Sequence, residues 1–110
     1  MRKIIRYCNE ISEASEHFNH SFEALKKFSV YKNAVAMCVL QIGELTALLS
    51  DEFKANHADV PWQDIRGMRN IAAHHYGSFS IEFLWDTIEN DIPYLREFCV
   101  TNMGIMGDVL

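Results

Sequence analysis

Residues 29–56 read SVYKNAVAMCVLQIGELTALLSDEFKAN, and this stretch decides the fold class. Its large inward-facing side chains recur at a 4-3-4-3-4 spacing: Tyr31, Val35, Cys38, Ile42, Leu45 and Leu49. Because a helix completes one turn about every 3.6 residues, this spacing places all of them along one side of a helix. We therefore predict one long helix from about Ser29 to Asn56.

The same periodicity continues toward the N-terminus. A first helix is predicted over residues 2–18, with its inward positions at Ile4, Cys8, Ile11, Ser15 and Phe18. A short second helix is predicted from Ser21, because a serine hydroxyl readily caps the first turn of a helix. Its inward positions are Phe22, Leu25 and Phe28.

Residues that typically begin or end helices define the organisation of the C-terminal half. Pro61 suits the first turn of a short helix, and Gly77 suits the left-handed residue that follows a helix. Ser80 is the expected cap of a last long helix, in which Pro93 should cause a kink by removing one backbone hydrogen bond. The last ten residues, 101–110, have weak periodicity and are expected to fray. The predicted fold is all-α, an up-and-down bundle of four to five helices in one domain over 1–110.

Composition limits the classes of function. The chain of 110 residues is 49% hydrophobic and 23% charged, with a net charge of −5, which argues against a broad basic surface that coats nucleic acid. No stretch approaches the roughly 18 apolar residues of a membrane span, and no apolar signal-peptide core follows the basic N-terminus. A cytoplasmic location is therefore expected. The three cysteines (Cys8, Cys38 and Cys99) lie on inward helix faces, which favours buried free thiols over redox chemistry.

The side chains best suited to catalysis lie in residues 69–76, which read RNIAAHHY. Arg69, His74 and Tyr76 supply a fixed cation, an imidazole that titrates near neutral pH, and a phenol. On a helical wheel Arg69 and His74 flank a shallow trough, and Asn70 is placed to orient the His74 ring. Arg66 would add phosphate affinity on the same face.

Each of these residues also has an ordinary structural interpretation. A surface arginine is usually solvated, and a histidine near a helix C-terminus often only interacts with the helix dipole. His75 points toward the predicted core and is assigned to structure. No cluster of histidine, cysteine or carboxylate residues has the spacing of a metal site, so neither a metal nor another cofactor is expected.

The order of these motifs resembles the HEPN superfamily, and in particular its HepT-like ribonuclease toxins. The similarity runs from about Ile4 to Phe98 and rests on five segments besides the Arg-x4-His-x-Tyr motif: Ser21-Phe22-Glu23, Gln41-Ile42-Gly43-Glu44, Val60-Pro61-Trp62, Leu84-Trp85-Asp86-Thr87-Ile88 and Asp91-Ile92-Pro93. The combination in this order is much more specific than the short motif alone.

The resemblance implies an all-α homodimer in which two motif helices form one composite cleft. It implies a metal-independent endoribonuclease, the toxin of a type VII-like toxin–antitoxin pair, with Arg69 and His74 as catalytic residues. The partner would be a minimal nucleotidyltransferase antitoxin (MNT-type), which in some systems adds AMP to the motif tyrosine, here Tyr76. RNA would be the substrate, and no membrane would be involved.

Two other classes of function are compatible with the sequence. The chain could be a non-catalytic subunit that binds a minimal nucleotidyltransferase and presents a substrate to it. It could also be a structural interaction module with a decayed site, although the intact Arg69, His74 and Tyr76 argue against decay. Modification of Tyr76 by AMP without RNA cleavage would distinguish the first class from a ribonuclease.

Overall fold

The computed structural model describes residues 2–67 and 81–106, and these residues are helical apart from short connections. The helices are α1 (Arg2–His17), α2 (Phe22–Lys27), α3 (Ser29–Thr46), α4 (Asp51–Asn56), α5 (62–67), α6 (Ile81–Asp86) and α7 (Ile92–Met106), and a π-helical turn (Thr87–Asp91) joins the last two. The described residues contain no strand, and the predicted all-α bundle is confirmed.

The core lies where α1 packs against α3 and α7. Every inward position predicted for α1 from Ile4 to Ser15 is buried, and so are the predicted inward positions of α3 from Tyr31 to Ile42. The third wall is provided by Leu84, Ile88, Ile92, Leu95 and Cys99 from the last helical run. These contacts remove most of the apolar stripe of each long helix from water, which is the main stabilising contribution to a bundle of this kind.

A polar pair lies inside this apolar core. The hydroxyl of Tyr31 is fully buried and donates a hydrogen bond to Oγ of Ser15 at 3.0 Å, which joins α3 to α1. The Tyr31 ring also stacks on Phe18, with ring centroids 4.6 Å apart. Because each buried hydroxyl has a partner, neither carries the cost of an unsatisfied polar group.

The predicted long helix over 29–56 is wrong in one respect, because the structure divides it into α3 and α4. The hydroxyl of Thr46 donates to the carbonyl of Gly43 at 3.0 Å near the end of α3. Oγ of Ser50 then accepts from the backbone N–H of Phe53 at 3.1 Å and caps a new helix. Asp51 and Glu52 follow in the first turn of α4, where negative side chains are favourable near the helix N-terminus.

The short helix α2 begins as predicted. Oγ of Ser21 accepts from the N–H of Ala24 at 3.1 Å, which is an N-cap bond, and Leu25 is fully buried. The prediction that Phe28 points inward is wrong, since 45% of it is exposed. Phe28 has an extended backbone because it ends α2 and precedes α3, and its ring lies at the edge of the core against Phe18, with centroids 5.6 Å apart.

Pro93 affects the last helical run through the turn that precedes it. The N–H of Ile92 bonds to the carbonyl of Thr87, five residues earlier, and so completes the π-helical turn. Proline cannot donate the next backbone hydrogen bond, so the ladder is interrupted at this point, as expected. Beyond it, α7 extends to Met106, and the expected fraying of residues 101–110 stays a prediction.

The prediction of buried free thiols is confirmed for all three cysteines. Burial raises the pKa of Cys8 and of Cys38 to about 12, and that of Cys99 to about 11. The Cys38 thiol also donates to Oε2 of Glu10 at 3.6 Å, and this carboxylate further raises its pKa. Thiols held so far from ionisation are poor nucleophiles, which agrees with a packing role.

Candidate functional site

The helix α5 leads directly into the motif segment of the chain. Its backbone is anchored by Ile65, which is buried and whose N–H bonds to the carbonyl of Pro61 at 3.1 Å. The predicted start of this helix at Pro61 is therefore correct to within one residue. Arg66 lies in the last described turn of α5 and is exposed, as its predicted role requires.

The other predicted site residues lie outside the described part of the chain. These are Arg69, Asn70, His74 and Tyr76, together with His75, Gly77 and Ser80. Arg66 is thus the one predicted site residue whose surroundings the structure gives.

Arg66 lines a cavity of about 430 Å³ between the C-terminal end of α3, the helix α4 and the helix α5. The other lining residues within the described part of the chain are Gly43, Thr46, Ala47, Asp51, Lys54, Trp62 and Gln63. The division of the predicted long helix creates this cavity, since α4 leaves the line of α3 at the turn over residues 47–50. A cavity of this volume falls in the range of about 300–1,000 Å³ that is usual for small-ligand sites.

The indole of Trp62 fixes one wall of this cavity. Its Nε1 donates to the carbonyl of His57 at 3.0 Å and to the carbonyl of Lys54 at 3.2 Å. The bonds connect α5 to the end of α4 and to the turn that follows it. The Trp62 ring also packs edge-on against Phe98 of α7, with centroids 5.8 Å apart, so its orientation is set from two sides.

The polar lining of the cavity carries charges of both signs. Lys54 and Arg66 supply two cations, and Asp51 supplies a carboxylate. Within residues 2–67 and 81–106, no ion pair joins Lys54 or Arg66 to an acidic side chain. Gln63 adds an amide that both donates and accepts hydrogen bonds.

The side of α5 that lies away from the cavity carries a negatively charged side chain, Asp64. At about 100° per residue, Asp64 and Arg66 diverge by roughly 160° around the helix. The pKa of Asp91 is raised, first because the carboxyl is partly buried and then because Asp64 and Asp86 are nearby. An anionic substrate should therefore be repelled from this side of α5 and attracted to the cavity side.

Sequence reasoning did not identify Lys54, Gln63 or Trp62 as site residues. Lys54 would have faced elsewhere on a continuous helix, so its place in the cavity depends on the break before α4. The signal for that break is the segment Ser50-Asp51-Glu52, a capping serine followed by two acidic residues, which is typical of a helix start.

A comparison with family models finds a match to the Ribonuclease HepT-like family over residues 4–101, which is most of the chain. The chain belongs to the HepT-like ribonuclease family. The resemblance drawn from the motifs is thereby confirmed, and ribonuclease activity on RNA is the general function of that family.

Curated relatives of this HepT-like chain carry names of the same kind. A protein named Putative RNase from Caldanaerobacter subterraneus is 36% identical over 77 residues, which are 70% of this chain and 69% of the relative. Another protein of that name, from Methanocaldococcus jannaschii, is 26% identical over 94 residues, covering 86% and 84% of the two chains. The Probable ribonuclease HepT of Thermococcus cleftensis is 33% identical over 63 residues, which are 57% of each chain. No solved structure matches.

None of the helices in the described ranges combines the length and the apolar character needed to cross a membrane.

Proposed function

We propose that this HepT-like chain is a metal-independent endoribonuclease whose catalytic residues are Arg69 and His74. The observation that carries the proposal is the Arg-x4-His-x-Tyr motif within a chain that matches the ribonuclease family over nearly its whole length. Arg66, exposed three positions before Arg69, supports it by adding a cation in the described turn that leads into the motif.

The proposed chemistry requires only proton transfer and charge stabilisation. The 2′-hydroxyl of RNA attacks the adjacent phosphorus as His74 accepts its proton. The bond from phosphorus to the 5′-oxygen of the next nucleotide breaks, and this oxygen takes a proton from the protonated second His74 of the proposed dimer or from water. The products are a 2′,3′-cyclic phosphate and a 5′-hydroxyl end. General acid–base catalysis of this kind is typically worth about 10²–10⁴-fold. Arg69 would stabilise the non-bridging oxygens as negative charge develops, and Asn70 would orient the imidazole.

A homodimer is part of this proposal, because two motif helices would complete one cleft. The described surface supports self-association through large apolar side chains on and just beyond α3. Val30 is 73% exposed, Met37 is 53% exposed and Leu48 is 71% exposed. Val30 and Met37 are seven residues apart and lie on one side of α3, and Leu48 follows in the turn after this helix. Exposed apolar side chains of this kind are typical of an interaction surface. Light scattering should give about twice the chain mass of 12.7 kDa.

We further propose that the protein is the toxin of a type VII-like pair, acting on RNA in the cytoplasm. A minimal nucleotidyltransferase antitoxin would neutralise it by adding AMP to Tyr76. The adduct would place a phosphate close in sequence to Arg69 and would compete with the RNA phosphate for that guanidinium. Tyr76→Phe keeps the aromatic ring, removes the acceptor oxygen and should escape a modifying antitoxin.

The decisive experiment compares RNA cleavage by the wild type, His74→Ala and His75→Ala. Wild-type cleavage should persist in EDTA and leave 2′,3′-cyclic phosphate ends, and His74→Ala should abolish it. His75→Ala is the matched control, since it removes the neighbouring imidazole and should lower stability without removing the proposed catalytic group. Equal cleavage by the wild type and His74→Ala would exclude the assignment. AMP on Tyr76 in the absence of any cleavage would instead identify a non-catalytic partner of a nucleotidyltransferase.

A further inference from the structure

The cavity between α3, α4 and α5 has the composition of a nucleotide subsite. Its lining includes the small residues Gly43, Thr46 and Ala47, which leave room for a flat ring near the end of α3. The lining also includes Trp62, whose indole N–H donates to two backbone carbonyls and whose ring supplies apolar surface. Planar bases favour such contacts, because every base has a face that can pack against an aromatic side chain.

Two cations line the cavity and match the charge of a phosphate. Lys54 belongs to α4 and Arg66 to α5, so the two charges come from different helices. Arg66 can contact a phosphate with two parallel N–H groups, whereas Lys54 acts as a compact point charge. Because the chain has a net charge of −5, its surface as a whole should not attract RNA. The two cations instead provide a local binding site for a phosphate.

The remaining polar groups of the cavity can distinguish between bases. The carboxylate of Asp51 only accepts hydrogen bonds, and it lines the cavity together with the amide of Gln63. Cytosine, adenine and guanine each carry an exocyclic amino group that donates to such a carboxylate. Uracil has no amino group, and its N3–H donor lies between two carbonyl oxygens that a carboxylate repels.

We propose that this cavity binds one nucleotide of a single-stranded RNA substrate and prefers a base with an amino group over uracil. Lys54 and Arg66 hold the phosphate, Trp62 contacts the base face, and Asp51 selects the base edge. The proposal rests on the ribonuclease function for its substrate class, and it adds a specificity determinant outside the Arg-x4-His-x-Tyr motif.

Binding is best measured with RNA that cannot be cleaved. Short single-stranded oligonucleotides of C, A or U with 2′-O-methyl groups lack the attacking hydroxyl, so affinity is measured independently of His74. In the variant Trp85→Phe, Trp62 is the remaining tryptophan, since the chain has two. A change in its fluorescence therefore reports occupancy of this cavity. Binding of the C and A oligonucleotides should be about tenfold tighter than binding of U, as expected for one base-edge contact.

The base preference is tested with Asp51→Asn and its matched control Glu52→Gln. Both changes remove one negative charge from the first turn of α4, but Glu52 does not line the cavity. Asp51→Asn should reduce the ratio of the dissociation constants for U and C to near one, because an amide can also donate to uracil. Glu52→Gln should preserve the wild-type ratio. A change in net charge alters the affinity for the U and C oligonucleotides equally, so it cancels in the ratio of their dissociation constants.

The phosphate contact is tested with Lys54→Ala and the control Lys3→Ala, an exposed lysine on α1. Lys54→Ala should weaken all three oligonucleotides equally and reduce the slope of log affinity against log salt by about 0.7, the value for one contact to a single strand. Lys3→Ala should leave that slope unchanged. Equal effects of the two lysine variants, or a base ratio unaffected by Asp51→Asn, would overturn the proposal.

The two proposals can fail separately. Cleavage that depends on His74, combined with no effect at Asp51 and Lys54, would exclude the subsite and leave the ribonuclease assignment intact. Base-selective binding without cleavage of unmodified RNA would support the subsite and exclude the catalytic assignment. Absence of any fluorescence change at Trp62 with all three oligonucleotides would also exclude the subsite.

Discussion

The interface of α1, α3 and α7 and the cavity wall formed by α4 and α5 are built in different ways. The long helix α1 buries four residues in one stripe, whereas α4 buries none. The short helices combine polar bonds at their ends, namely the Ser50 cap and the Trp62 indole, with aromatic packing of Phe53 and Trp62 against Phe98. Apolar burial therefore fixes the bundle, and directional hydrogen bonds add to aromatic packing around the cavity.

This difference shows where the chain can vary without loss of the fold. Side chains that line the cavity, such as Lys54 and Gln63, contribute little to the apolar core and can be chosen for binding. Buried residues of the three long helices lack that freedom, since close packing penalises any change of volume. Substitutions in the two regions should therefore differ in how much they lower the free energy of unfolding and in how much of the structure they affect.

The largest effect is expected for Ile42→Ala. Ile42 is 1% exposed on the inward stripe of α3, and its truncation leaves a void that the long helices cannot readily fill. A loss of about 2–5 kcal/mol in the free energy of unfolding is typical of such changes. Urea denaturation monitored by circular dichroism would measure it. Val100→Ala, at a position that is 46% exposed on α7, is the control and should change stability by less than about 0.5 kcal/mol.

A second effect within the core concerns the buried Tyr31–Ser15 hydrogen bond. Ser15→Ala should cost about 1–3 kcal/mol, because it leaves the Tyr31 hydroxyl buried without its acceptor. Tyr31→Phe removes the donor instead. The double variant should lose less stability than the sum of the two single variants, because it leaves neither hydroxyl unpaired. Strict additivity in this double-mutant cycle would show that the pair is not coupled.

A smaller and more local effect is expected at the helix that forms the cavity wall. Ser50→Ala removes the N-cap of α4 and should cost about 0.5–2 kcal/mol. Because α4 has no buried residue, the loss should appear as faster amide exchange within residues 51–56, with little change in α1. Ser50→Asn supplies another capping side chain and should restore the protection. Equal acceleration of exchange in α1 would show that the two regions unfold as one unit.

Much of the bundle could be predicted from helical periodicity, for a reason that also explains the main error. The inward stripe continues from Tyr31 through Leu49, so it gives no indication that the helix ends at Thr46. Leu49 remains buried after the turn, which means that the chain changes direction while still covering the same core. Periodicity reports which side chains are buried, and the capping residue Ser50 reports where the helix is broken.

The candidate site was predictable to a smaller extent. The exposure of Arg66 could be predicted because charge and helical phase are local properties of the sequence. Trp62 lies one turn before Arg66 on the same helix, whereas Lys54 joins them only through the break in the predicted long helix, and such a tertiary arrangement has no local sequence period. The catalytic assignments of Arg69 and His74 stay predictions, since both residues lie outside the described part of the chain.

The smallest effect is expected on the acidic side of α5, where Asp91→Asn should stabilise the protein at pH 7 by less than about 0.5 kcal/mol. Partial burial, with Asp64 and Asp86 nearby, raises the pKa of Asp91 in the folded chain. The folded state therefore accommodates this carboxylate less well than the unfolded chain does. That cost is present above the raised pKa and disappears as the pH falls through it toward the ordinary value of about 3.9.

The pH dependence separates this explanation from a general effect of net charge. Glu89→Gln removes the same charge from the same π-helical turn, but at an exposed position. At pH 7 and low salt, Asp91→Asn should stabilise more than Glu89→Gln. The difference should vanish well below the ordinary pKa of about 3.9, because the Asp91 carboxyl is then protonated in both the folded and the unfolded state. Added salt should also reduce it, since screening weakens the repulsion from Asp64 and Asp86. A difference that persists unchanged in acid would mean that packing, and not charge, distinguishes the two positions.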